Sequence, residues 1–216
     1  MTQVQVDKKL YFSKRYLTME RFISYYHQVN FVLDEKPRDV LEIGVGNKIV
    51  SDLLKKSGVN IKNCDIDVEL KPDIVSDVRN LSVKDDEFDL VIAYEVLEHL
   101  PFDDFKKALE ELKRVSKGKV IVSLPFPSIH LEFFLKFKSV IRSRKIVKKI
   151  FFALKIPYFL KIIDINKNKQ HYWEIGTKGY SKKKVEKILK SVFDEVKSPK
   201  IILDSYHKYY ILKNDS

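Results

Sequence analysis

The stretch VLEIGVGNK, residues 40 to 48, places an apolar run directly before two glycines in the spacing GxG. Asp39 to Ile43 reads as a strand with apolar side chains on both faces, as a central parallel strand requires. Gly44 and Gly46 permit a tight turn because neither carries a Cβ. Asn47 is placed to cap a helix running to Ser57, which Gly58 stops. A buried strand, a glycine turn and a helix N-terminus form the mouth at which open α/β sheets take up nucleotide-sized ligands. A dinucleotide site would continue the pattern as GxGxxG, and position 49 is Ile.

An acidic residue, Glu42, stands two positions before the first glycine. With it the segment resembles the first motif of the class I S-adenosylmethionine (SAM)-dependent methyltransferases, acidic-x-GxGxG. The match is to small-molecule members carrying VLEIGxGN and EVLEHLP. Lys48 replaces the third glycine. The resemblance implies that Glu42 meets the positive methionine end of SAM and that Gly44 and Gly46 form the turn beneath it. Val59 to Ile66 reads as a second strand, which puts Asp65 about twenty residues past the glycines, where an acid reaches ribose hydroxyls. Ile66 then lies against the adenine, with Asp67 as the alternate acid. A short third strand, DIVSDV, leads to Asp77 and Val78, which in the family meet the adenine amino group and ring.

FDLVIAYE, residues 88 to 95, reads as a fourth, central strand that delivers Tyr94 and Glu95 at its carboxyl end, with Glu95 expected among the cofactor-binding residues, and VLEHLP follows. The Asn/Asp-Pro-Pro-aromatic motif of nucleic acid base amino-methyltransferases is absent there. His99 reads first as a packing residue and second as an acid–base group. Pro101 opens a helix with Phe102, Phe105, Leu109, Leu112 and Val115 on one face, closed at Gly118. Lys119 to Leu124 is a fifth strand. Ser181 caps a helix running through Val192, and the runs 196–203 and 207–212 form a closing antiparallel pair. The fold class expected is α/β: a Rossmann-like, seven-stranded, mostly parallel sheet with helices on both faces, an antiparallel last strand, and a helical insertion after the fifth strand.

Residues 1–216 read as one domain, with 1–36 a helical cap and 128–170 a basic, aromatic insertion. Within the cap, residues 18 to 34 predict an amphipathic helix packed through Met19, Phe22, Ile23, Tyr26, Val29 and Leu33. Tyr11, Phe12, Tyr16 and Tyr25 make this end aromatic, and in similar methyltransferases such a segment folds over cofactor or acceptor. Gln3 to Lys9 lacks the apolar run of a signal peptide. The one cysteine, Cys64, excludes an intramolecular disulfide. No Cys/His spacing suggests zinc, so no metal is expected, and the expected location is cytoplasmic.

The insertion holds eleven Lys and Arg against Glu132 and Asp164, which accounts for nine of the eleven net positive charges. Aromatic and branched residues interleave with them, and no apolar run is long enough to span a bilayer. The first reading is a lid over the acceptor pocket. The second is an interfacial helix pair on the anionic inner membrane face, presenting a lipid-linked acceptor. An RNA surface is third, since no RNA-binding signature accompanies the charge.

In HYWEIGTKGYS, residues 171 to 181, His171 is placed to take a proton from an acceptor hydroxyl, Glu174 to orient it, and Trp173 to stack on a sugar or ring. The alternative is a loop anchored by a buried Trp with a surface His–Glu pair. The function expected is methyl transfer from SAM to a small-molecule, sugar or lipid-linked acceptor at oxygen. The competing readings are an inactive SAM-fold scaffold and an RNA methyltransferase.

Overall fold

The computed structural model describes residues 8–127, 129–141, 144–156, 170–204 and 206–214, with the backbone alone at 8 and 129–156. Seven strands form the main sheet: β1 (Asp39–Ile43), β2 (Asn60–Asp65), β3 (Ile74–Val75), β4 (Leu90–Tyr94), β5 (Lys119–Pro125), β8 (Glu195–Lys197) and β9 (His207–Lys213). Their order is β3-β2-β1-β4-β5-β9-β8, parallel except for β9, which runs antiparallel to both β5 and β8. The expected sheet and its antiparallel last strand are therefore present.

The period-two alternation of the central strands sorts their side chains into two cores. Leu41, Ile43, Val91, Ala93, Val120 and Val122 pack on one face against α4 (Phe105–Val115) and α5 (Lys182–Val192). Val40, Leu90, Ile92 and Ile121 pack on the other against α2 (Met19–Glu35) and α3 (Ile49–Lys56). Ser181 caps α5 through its hydroxyl, which accepts from Lys184 N. A four-residue helix, α1 (Lys8–Tyr11), precedes α2.

Two expectations about elements are corrected. The buried residues of α2 are Ser24, Tyr25, Gln28 and Val32; of the expected set Val29 and Leu33 do pack against this core, while Met19, Phe22 and Tyr26 are exposed. The packed face is partly polar: Gln28 Nε2 donates to Ser24 Oγ (2.9 Å), and Ser24 Oγ lies 2.9 Å from the Tyr209 hydroxyl. Hydrogen bonds satisfy those groups in the interior, so a count of apolar residues finds only part of the packed face.

Over its described residues the insertion is not a helix pair. Its described backbone is a two-stranded antiparallel hairpin, β6 (Ile129–Ile141) and β7 (Arg144–Ile156), paired Ile129 to Ile156 through Ile141 to Arg144. Phenylalanine, isoleucine and valine recur through both runs, and these residues favour strand over helix. The side chains read as interfacial, the stretch 157–169 and residues 1–7 lie outside the described residues. Across the foot of the insertion Ile175 N donates to Pro125 O at 3.0 Å.

Candidate active site

The carboxyl ends of β1 to β4 open into a cavity of about 380 Å³. All eight residues expected to hold the cofactor line it: Glu42, Gly44, Gly46, Asp65, Ile66, Asp77, Val78 and Glu95. His99 lines it as well. The floor is built at Gly44, which has φ +83° and sits where an added Cβ would meet Val96 Cγ2 at 2.3 Å. No side chain fits at that turn.

Lys48 takes the place of the missing glycine by adopting glycine's conformation. Its φ is 63°, and its ammonium donates to Lys71 O at 2.7 Å. The side chain is thereby drawn away from the cavity, which it does not line. The expected cap at Asn47 is corrected: Lys48 holds the N-cap position of α3 and makes no side-chain capping bond, and Asn47 Oδ1, one residue earlier, accepts from Ile49 N at 3.3 Å.

Asp65 ends β2 with one oxygen accepting from Val45 N and the other from Asp67 N, both at 2.8 Å. Each carboxylate oxygen keeps acceptor capacity for a hydroxyl. Burial raises its pKa. Asp77 is gripped by Arg79, whose Nη2 lies 2.6 Å from Oδ2, and Arg79 also pairs with Asp104 at 2.8 Å. The guanidinium, with burial opposing it, holds Asp77 below the ordinary carboxylate range. An adenine amino group reaching Asp77 would share it with Arg79, which also lines the cavity.

Glu42 is buried in β1 and accepts from Asn63 Nδ2 at 2.6 Å. Burial pushes its pKa up to about 8. A cationic group brought beside it would restore the charged form. Tyr11, Tyr16, Arg21 and Tyr25 close the cavity from the N-terminal segment, so the aromatic end does fold over the pocket, although Phe12 is exposed. Asn47 Nδ2 donates to the Tyr25 hydroxyl at 2.9 Å.

Glu95 follows β4 in a left-handed conformation, φ 55°. Ser123 Oγ donates to its Oε1 at 2.8 Å, and His207 Nε2 lies 3.5 Å from Oε2. His207 is buried, and its Nδ1 meets Asp204 Oδ1 at 2.8 Å. Burial alone would lower the His207 pKa, but the Glu95 charge and Asp204 override it and raise it. Sequence reasoning missed this residue, because a lone histidine at the start of a strand carries no motif. The register that pairs His207 with Pro125 at the end of β5 brings it there.

The loop of 171–174 divides its expected roles. His171 Nδ1 lies 2.7 Å from Glu174 Oε1, so the pair exists, but neither residue lines the cavity. His171 stands behind His99, the two rings edge to face at 4.9 Å. His99 Nδ1 donates to Gln170 O at 2.7 Å, and burial together with His171 pushes its pKa down to about 4. The stacking role given to Trp173 is corrected. It is fully buried against Phe102, Phe105 and Tyr180, with Nε1 donating to Leu100 O at 3.1 Å. Tyr172, half exposed, is the aromatic of this loop that reaches the cavity. Glu98, Glu174 and the two histidines also form a cluster that sequence spacing did not suggest.

A sequence profile described as a methyltransferase domain matches residues 13–152. The chain belongs to that family. With the cavity residues in register, this methyltransferase is SAM-dependent. A SAM-dependent methyltransferase from Archaeoglobus fulgidus superposes with a TM-score of 0.63 at 16% identity, covering 96% of this chain and 100% of the other. The PH0226 protein of Pyrococcus horikoshii gives 0.58 at 17% identity, over 97% and 100%. The 1,6-didemethyltoxoflavin N1-methyltransferase of Burkholderia thailandensis, solved with bound 1,6-didemethyltoxoflavin and S-adenosylhomocysteine, gives 0.59 at 13% identity, over 96% and 85%. At these identities the likeness is one of fold. No curated protein sequence matches the chain.

Proposed function

We propose that this methyltransferase acts on a hydroxyl of a small or lipid-linked acceptor. The observation that carries the reading is Glu95 on the cavity wall, backed by the buried His207 and Asp204. When bound, SAM supplies a methyl group on a positive sulfur with a neutral leaving group, so positioning accounts for much of the acceleration. A hydroxyl must also lose its proton, and a carboxylate at the end of β4 can accept it. Ser123 and His207 hold Glu95 in place and balance its charge, and Asp204 orients His207. His99, neutral with a pKa near 4, is a weak base, and His171 reaches the cavity only past it.

The lipid-linked form of the acceptor has separate support. Met19, Phe22 and Tyr26 lie at helical spacing on the outward face of α2, all exposed, and His27 Nε2 meets the carbonyl of exposed Ile202 at 2.7 Å. Together with the charge of the insertion, these residues suit contact with an anionic bilayer surface at the inner membrane face.

Incubation with methyl-labelled SAM against panels of phenols, sugars, lipid-linked sugars and amines tests the reading. Label in an ether product that falls about 100-fold in Glu95→Gln supports it. Label only in amines or RNA, or turnover unchanged in Glu95→Gln, overturns it. Flotation with anionic vesicles tests the lipid form: a chain that stays unbound argues for a soluble acceptor.

A further inference from the structure

We infer that Glu98, His99 and His171 form a site for a divalent first-row transition cation of the zinc class. One oxygen of Glu98 and one nitrogen of each imidazole all lie within 4.8 Å of one another. Two histidines with one carboxylate is a donor set that binds such ions and leaves a coordination position open.

Two further observations point to a cation. Glu98 is fully buried, and among the described residues neither carboxylate oxygen has a hydrogen-bond donor. An acid in that position has given up water without a replacement, which is costly unless a positive centre compensates. The histidines are also oriented from behind. A carbonyl only accepts, so His99 Nδ1–H donates to Gln170 O, and His171 Nδ1 faces Glu174 in the same way. Such outer partners are typical of metal-bound imidazoles, because they set the tautomer and hold the ring. Tyr206 OH in turn donates to Glu174 Oε1 at 3.1 Å.

The spacing must close somewhat to reach bonding distance, and His171, on a partly exposed loop, is the member able to move. Because His99 and Tyr172 both line the cavity, a cation here would stand at its wall. An oxygen bound in the open position would lose its proton at lower pH. The inference rests on the cluster and not on the acceptor proposed above.

The test is metal binding by the full chain, with no methylation involved. After chelator treatment, the protein is titrated calorimetrically with Zn²⁺ and Mn²⁺, then desalted and its metal content measured. One equivalent retained by the wild type, with affinity reduced about 10- to 100-fold in Glu98→Gln and in His171→Ala, is expected. SAM binding by each variant reports whether it is folded, and His171→Ala decides if Glu98→Gln is not. Absence of saturable binding overturns the inference, as does binding that survives both substitutions.

Discussion

His207 Nε2 stands 3.5 Å from the Glu95 carboxylate, although the two residues are separated by most of the second half of the chain. The pairing of β9 with β5 makes this contact, and it puts the buried His207 behind Glu95 on the cavity wall. Because the folded pKa of His207 is raised above 6.5, its contribution to stability is complete below that value and is lost as pH rises through the folded value. Thermal melts from pH 5.5 to 9 should therefore show a decline that His207→Gln flattens. A decline of unchanged size in the variant would assign it to another group.

Glu42 titrates in the opposite sense to an ordinary surface acid. With a folded pKa of about 8 against 4.5 unfolded, the native chain holds a proton that the unfolded chain has released. Stability then falls as pH rises through that window, by about 1.4 kcal/mol per unit at most. Glu42→Gln should remove the slope while weakening SAM. Calorimetry in buffers of different ionisation enthalpy should detect proton release on SAM binding near pH 7 in the wild type and none in the variant.

Asp65→Ala should reduce SAM affinity by about 10- to 100-fold if Asp65 meets the ribose as the sequence implies, and it also leaves Val45 N and Asp67 N without their partner. Equilibrium titration with S-adenosylhomocysteine checks this. An affinity within a factor of two of wild type would place the ribose elsewhere.

Gly44→Ala should destabilise the chain by about 1–3 kcal/mol and abolish cofactor binding, because the new methyl collides with Val96 in a left-handed turn. Adding Val96→Ala should recover part of the stability but little of the binding. Denaturant melts with and without SAM separate the two effects.

Trp173→Ala should cost about 3–5 kcal/mol, the loss expected for a buried aromatic. Tyr172→Ala should leave the melting temperature within a few degrees while raising KM for the acceptor. If the two effects exchange places, the loop is oriented differently from the arrangement described.

The central sheet was legible because its signals are local. Strand periodicity, the glycine turn and the acids at strand ends each occupy a few consecutive residues, and all eight expected cofactor residues meet in one cavity. What was illegible depends on tertiary pairing. The packed face of α2 is hidden by Ser24 and Gln28, which are buried as hydrogen-bonded polar groups. His207 acquires its role only through strand register. Trp173 carries no mark that distinguishes a stacking ring from a core ring until Phe102 and Phe105 surround it. The hairpin carries no clear period in its sequence, because lysines recurring every few residues among apolar side chains fit both helix and strand over short windows.

The bond from Ile175 to Pro125 bears on how the chain tolerates a change of loop length. It joins the two ends of the insertion beside the end of β5, like a stitch at a cuff. Doubling the length of such a loop costs only about 0.6 kcal/mol in closure entropy. A change of length between Pro127 and Gln170 should therefore leave the strands that line the cavity as they are.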